Sequence, residues 1–150
     1  MNIEIEILEV QSTQDTELID ITDRVEEFIE KSEIKNGLVL IITLHTSAGI
    51  IVTEGLPDLE KDILNHLARL VPSEGAYYHN RFLDIDGRLG FNAPAHLKSV
   101  LGGIAALFPV KDGALVKGSR QRIYFAEYDG PLSRQICVQI IGNRNACHEM

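Results

Sequence analysis

The C-terminal third limits how this chain can fold more than any other stretch, because short runs of strand-type residues there are punctuated by Asp-Gly. Ile104 to Val110 is followed by Lys111-Asp112-Gly113 and then Leu115 to Lys117. Arg122 to Glu127 leads into Asp129-Gly130-Pro131, and Gln135 to Ile141 closes the series. Asp-Gly readily takes the backbone angles of tight turns, so the flanking apolar runs are expected to pair with each other as an antiparallel meander. At the other end, Ile3, Ile5 and Ile7 alternate with Glu4 and Glu6, the period of a strand with one buried face, and Leu18 to Ile21 reads as a returning strand. Leu38 to Leu44 is apolar and rich in β-branched residues, which predicts a central strand buried on both faces. His45-Thr46-Ser47-Ala48-Gly49 interrupts it before Ile50 to Thr53 resumes.

Helical signals are fewer. Asp23 and Glu26 have the spacing of a capping box around Val25, Phe28 and Ile29, and Asn36-Gly37 supplies a stop. Pro57 suits the first turn of a second helix whose apolar stripe is Leu59, Ile63, Leu67 and Leu70. Ala95 to Leu101 reads as a short helix. Two main helices against many hairpin-linked strands predict an α+β chain rather than a doubly wound one. From Tyr77 to Pro94 no period is sustained, and so long an irregular stretch tends to be functional.

With 150 residues, 45% apolar and 24% charged, the chain has the size and balance of one domain with its own core. A net charge of −8 argues against nucleic acid as a partner, since phosphate backbones call for clustered Lys and Arg. Arg120, Arg122 and Arg134 remain as local cations suited to a small anion. The N-terminus is acidic, unlike a signal peptide, and no run reaches the ~18 apolar residues of a membrane helix. Cys137 in a strand-like run and Cys147 in the tail make no disulfide framework, so a reduced, cytoplasmic setting is expected.

Three constellations can carry chemistry. His45-Thr46-Ser47-Ala48 puts an imidazole and two hydroxyls at a strand break. His79-Asn80, Asp84, Asp86, Asn92 and His96 scatter imidazoles and carboxylates, suitable for a divalent ion, through the irregular stretch. Gly118-Ser119-Arg120-Gln121 and Glu127-Tyr128-Asp129-Gly130-Pro131 flank strands. The first can present N–H groups and a guanidinium to phosphate; in the second, partial burial would raise the Glu127 pKa for acid–base work. Taken on spacing alone, ordinary turns and solvated side chains account for each of them more simply. His66 and His148 carry no role.

Taken in order, these segments resemble the YjbQ-like family, the secondary thiamine-phosphate synthases, from about Leu38 to Gly142. His45-Thr46-Ser47-Ala48 is similar to the family's H-T-S-A, Glu54 to the Glu after the next strand, and His79-Asn80 to a His-Asn pair. Asn92 with Ala95-His96-Leu97, Pro109-Val110 with Asp112-Gly113, Gly118 with Gln121, and Glu127 with Asp129-Gly130-Pro131 match further blocks. The chain departs from the pattern at Thr53 (Asn is usual), Ser119 and Arg120 (Thr and an aromatic residue), and Leu132 (a basic residue). The resemblance implies a mostly antiparallel, β-sandwich-like fold, a homotrimer with pockets at subunit contacts, and a phosphorylated small-molecule substrate. The implied reaction joins a pyrimidine diphosphate to a thiazole phosphate with release of pyrophosphate. On that basis His45, His79 and His96 are expected to converge as ligands of a divalent metal, zinc or magnesium, or as proton carriers. Thr46, Ser47, Gly118, Ser119 and Arg120 would hold phosphate, and Glu54 or Glu127 would join His45 in acid–base work. The alternative is a non-catalytic trimer that binds a metal or small anion.

Overall fold

The computed structural model of the chain describes residues 1–82 and 91–144; Asp84, Asp86, Cys147 and His148 lie outside them. Among the described residues the strands are β1 (Asn2–Gln11), β2 (Glu17–Asp20), β3 (Asn36–Thr43), β4 (Ala48–Glu54), β5 (Ala105–Lys111), β6 (Ala114–Leu115), β7 (Gln121–Glu127) and β8 (Ser133–Asn143). The helices are α1 (Thr22–Ser32), α2 (Pro57–Leu70) and α3 (Ala93–Gly102). The strands form a five-stranded sheet in the order β1-β8-β3-β5-β6 and a three-stranded sheet in the order β2-β7-β4, with every pairing antiparallel. The chain is α+β, as expected. No helix among the described residues is long and apolar enough to cross a membrane.

Two sheets form because the chain changes sheet at two breaks that looked like turns within one. β3 belongs to the large sheet and β4 to the small one, so His45 to Ser47 is a crossover. β7 likewise pairs with β2 and β4, and β8 with β1 and β3, so Asp129-Gly130-Pro131 links the sheets instead of closing a hairpin. Of the expected meander only the β5–β6 hairpin over Asp112-Gly113 survives. Gly130 is demanded by contact: a Cβ there would stand 2.1 Å from the Gln14 carbonyl oxygen. The two crossovers lie side by side, because Ala48 pairs with Glu127 and Thr43 with Ile136.

Between the sheets lies the main core. Val39, Ile41, Ile136, Val138 and Ile140 meet Ile50, Ile123 and Phe125, and α1 closes one side with Val25, Phe28 and Ile29. Burying each such aliphatic or aromatic side chain contributes about 1.5–3 kcal/mol. Behind the small sheet, Leu67 of α2 and Ala95 of α3 pack on Ala126 and Tyr128. Leu70 is exposed and lies outside the α2 stripe. At α1 the helix begins after Ile21 without a side-chain cap and ends at Glu33 in the left-handed region, so the Asp23–Glu26 box does not form and Asn36-Gly37 opens β3.

The outer face of the large sheet overturns two expectations of burial. β1 alternates as read, but its inward residues are Leu8 and Val10, and Ile3, Ile5 and Ile7 face outward, Ile5 with 58% of its surface exposed. β3 buries only Val39, Ile41 and Thr43; Leu38 is exposed and Leu40 and Ile42 are half-buried. In register, Ile3, Ile141, Leu38 and Pro109 form one row across this face, and Ile7, Cys137, Ile42 and Ala105 another. Described helices pack elsewhere, so an apolar sheet face is left bare in the single chain.

Candidate functional site

The site grows from the paired crossovers. β8 sends Arg134, Ile136, Val138 and Ile140 to the same inward side, so Arg134 enters the molecule among aliphatic residues and is 6% exposed. A buried guanidinium needs a partner, and Glu127, fully buried at the end of β7, supplies it. Arg134 Nε donates to Glu127 Oε2 at 2.8 Å and Nη2 to Oε1 at 2.6 Å. Ser12 Oγ donates to Oε2 at 2.9 Å, and the backbone N–H groups of Tyr128 and Asp129 donate to Oε1 at 3.0 and 2.9 Å. Burial pushes the Glu127 pKa up, but the bonds from Arg134, Asp129 and Ser12 outweigh it and hold the carboxyl below the usual glutamate value. The expected elevation is therefore reversed: Glu127 is an ionised, saturated carboxylate that orients Arg134.

Arg134 carries the geometry onward. Its Nη2 also donates to Ser47 Oγ at 3.1 Å, tying the first crossover to the second. Beside it, His45 Nε2 accepts the Gln135 N–H at 2.8 Å, so the proton of the neutral ring sits on Nδ1. Burial and the neighbouring Arg134 charge lower the His45 pKa, with Glu127 opposing them, which keeps that neutral form.

His79 and His96 meet at Asn92. Both Nε2 atoms point at Asn92 Oδ1, at 3.0 and 3.1 Å, with ring centroids 5.4 Å apart and ring planes nearly perpendicular. Asn92 stands at the N-cap of α3, where its side chain would ordinarily bond the first helical N–H groups. Here it makes no cap bond, and its Nδ2 donates to Asp129 Oδ2 at 2.9 Å. A carboxylate accepts only, which fixes the amide with Oδ1 toward the imidazoles, so both Nε2 atoms must donate. His96 Nδ1 donates to the Thr46 carbonyl at 2.9 Å. Both ring nitrogens of His96 thus face oxygen acceptors.

A cavity of about 410 Å³ brings His45, Thr46, Ser47, His79 and His96 together with Asn92, Asp129 and Arg134. The three histidines do converge on one pocket. Their nitrogens are not arranged as one ligand set: the His45 Nε2 lone pair is taken by Gln135, and His79 and His96 direct N–H groups at an amide oxygen. Among the described residues, no group of three His, Cys, Asp or Glu side chains is placed to hold one ion. The expected three-imidazole set for zinc or magnesium does not fit this arrangement.

The remaining expected residues lie elsewhere. Glu54 pairs with Gln121 at the far end of β4, six residues or about 20 Å from Ala48. There Arg120 Nη1 donates to Glu54 Oε1 at 2.7 Å, and the Gly118 N–H donates to Gln121 Oε1 at 2.8 Å, closing an exposed turn that includes Ser119. Within one chain Glu54, Gly118, Ser119 and Arg120 do not reach the histidine pocket. In the sequence, Asn92 and Asp129 stand in the candidate constellations without a role of their own, and Ser12 reads only as part of a turn. For Arg134 the signal was present, since it shares the inward parity of Ile136, Val138 and Ile140.

Comparison with known proteins gives a consistent result. Residues 6–143 match the family described as UPF0047 protein YjbQ-like. A UPF0047 protein of Archaeoglobus fulgidus is 40% identical over 134 residues, covering 89% of this chain and 98% of that one. The UPF0047 protein YugU of Bacillus subtilis is 35% identical over 136 residues, covering 90% and 97%. Among solved structures, a YbjQ-like protein of unknown function from Sulfolobus solfataricus P2 superposes with a TM-score of 0.87 at 38% identity, covering 95% of this chain and 99% of that one. A hypothetical protein from Aeropyrum pernix K1 gives 0.86 at 32% identity, covering 93% and 99%.

Proposed function

The chain belongs to the YjbQ-like UPF0047 family, and from that premise we propose that its crossover pocket binds the phosphate group of a small phosphorylated molecule, with His96 as proton donor. The carrying observation is that both ring nitrogens of His96 face acceptors, Thr46 O and Asn92 Oδ1, in a cavity shared with Arg134 and Ser47. A phosphate oxygen can take over the acceptor role that Asn92 Oδ1 plays for the two Nε2–H groups. Charge-assisted bonds of this kind are about twice as strong as neutral ones.

Thiamine-phosphate synthesis is one reaction such a pocket would serve. The thiazole nitrogen forms a bond to the methylene carbon of the pyrimidine while the carbon–oxygen bond to pyrophosphate breaks. Pyrophosphate leaves with the electron pair, and a positioned imidazolium offsets that charge and supplies a proton. With both substrates present, His96→Ala should retain the fold by circular dichroism and lose product formation. Wild-type turnover in that variant would remove His96, and failure of the wild type to bind phosphate by calorimetry would remove the reading altogether.

A second reading, a non-catalytic small-anion binder, is favoured by one observation. Of the two carboxylates expected to do acid–base work, Glu127 is saturated by five hydrogen bonds and Glu54 lies at the far end of β4. Phosphate binding with no product from any pyrimidine diphosphate would select it.

Assembly as a homotrimer, which the family resemblance implies, is part of the proposal. Support comes from the bare sheet face, where Ile3, Ile5, Leu38 and Leu107 are exposed side by side, the kind of apolar surface that subunit contacts cover. Ile5→Lys should dissociate the assembly in sedimentation; a wild type that sediments as a monomer would refute it.

A further inference from the structure

A second cavity, of about 460 Å³, lies against the histidine pair. It is lined by Ala76, Tyr77, Tyr78, Ala93 and Leu97 together with His79 and His96, which also line the phosphate pocket. The two imidazoles therefore border both cavities. On one side stand Arg134, Ser47 and Asp129; on the other, carbon almost throughout. The Tyr77 hydroxyl does not soften that contrast, because it donates to the Pro72 carbonyl at 2.6 Å. Tyr78 and Leu97 show 77% and 43% of their surface, apolar area that the described core does not use.

We propose that this recess seats an apolar ring belonging to the same ligand whose phosphate occupies the crossover pocket, so that the ligand is a phosphate ester of an aryl alcohol. Four of the seven lining residues are aromatic, which suits a flat ring that packs face or edge against them. A volume of this order accepts a ring with small substituents. The recess also narrows the choice among rings. A ring with few polar atoms suits these walls, because polar groups left unpaired on burial weaken binding sharply. A hydrocarbon ring carries no such penalty. The inference rests on the phosphate reading of the adjoining pocket and adds what lies on the other side of the ester oxygen.

The test is calorimetric titration of the full chain with three probes: inorganic phosphate, phenyl phosphate and phenol. Phenyl phosphate should bind about 30-fold more tightly than inorganic phosphate, the increment expected from burying one ring. Two variants read the recess separately from the phosphate pocket. Leu97→Asn makes its wall polar without adding charge, and Ala76→Trp fills it from an exposed position. Each should cut the preference for phenyl phosphate at least several-fold and leave inorganic phosphate within about two-fold of wild type, the scatter expected for surface changes. Equal affinity for phosphate and phenyl phosphate overturns the recess and leaves the phosphate reading standing. Phenol binding that Ala76→Trp abolishes, with no binding of phosphate, overturns the phosphate reading and with it the shared ligand. No binding of any probe overturns both.

Discussion

The two ends of the small sheet each hold an Arg–Glu pair, and the pairs behave oppositely. At the crossover end, Glu127 and Arg134 have side chains 0% and 7% exposed, joined by two parallel hydrogen bonds and braced by Ser12 and two backbone N–H groups. At the far end, Arg120 meets Glu54 with 80% and 33% exposed and a single bond at 2.7 Å. The sequence offers the same two residue types in each. Depth separates them. In the interior each charge makes the other necessary, whereas at the surface water serves either one. A site that must hold three imidazoles and a guanidinium in fixed orientation needs the first kind of pair, and the histidines gather at that end.

The largest effect that would break this contrast is on stability. Glu127→Ala strands the Arg134 charge and should cost about 3–5 kcal/mol in denaturant unfolding. Glu127→Leu combined with Arg134→Met should recover much of that loss, because no charge is then left buried. A loss below about 1 kcal/mol for Glu127→Ala would mean that Arg134 finds water and that the two ends are alike. Acid gives the same information without mutation. The Glu127 pKa is lower in the folded chain than in the unfolded one, so its contribution is fully present above the ordinary glutamate value and is lost as pH falls through the depressed value. Unfolding followed from pH 7 to pH 3 should show this decline in the wild type and not in the Leu–Met double variant.

How much of this could be read from the chain follows the same division. Periodicity marks the strands and α2 because apolar alternation is a local property, whereas the His45 to Ala48 and Glu127 to Pro131 breaks read on spacing alone as ordinary turns and stand out only through the family resemblance. Local patterns cannot say which strand a run will pair with. Asp129-Gly130-Pro131 has the residues of a hairpin turn, but β7 is claimed by β2 and β4 and β8 by β1 and β3. Once those pairings are made, His45 and Arg134 are neighbours, although 89 positions separate them in the sequence. The outward Ile3, Ile5 and Ile7 show the converse error. Alternation was right and the buried side was wrong, because period two carries no information about which face meets the core. Asn92 stands out in the sequence with the histidines, but its duty is not legible there for a third reason: at a helix N-cap the expected duty is to the backbone, and only the positions of Asp129 and His79 reveal that the amide is used elsewhere.

A smaller effect sharpens the contrast in ligand binding. His96→Ala should weaken inorganic phosphate about ten-fold, the size of one charge-assisted hydrogen bond. Asp129→Asn should act through Asn92: with no carboxylate to accept from Nδ2, the amide is free to turn its donor toward the imidazoles. The preferred proton positions on His79 and His96 then change, and nitrogen chemical shifts of the two rings report that directly. Unchanged shifts in Asp129→Asn would separate Asp129 from the orientation of the pair.

The smallest expected effect decides whether the far end is a bystander. Exposed ion pairs contribute about 0–1 kcal/mol, so Arg120→Ala and Glu54→Ala should each change stability by about 0.5 kcal/mol or less, with a coupling no larger in the double-mutant cycle. In a single chain, about 20 Å of β4 keeps Arg120 from the histidines, and phosphate affinity should not change either. Assembly offers a route around that distance, since a neighbouring copy could bring its own Gly118 to Arg120 turn to the pocket. If Arg120→Ala weakens phosphate in the assembled protein, and Ile5→Lys removes the sensitivity along with the assembly, the two ends belong to one site contributed by two chains. If Arg120→Ala is silent in both states, the exposed pair is an ordinary surface contact and the pocket is complete within one chain.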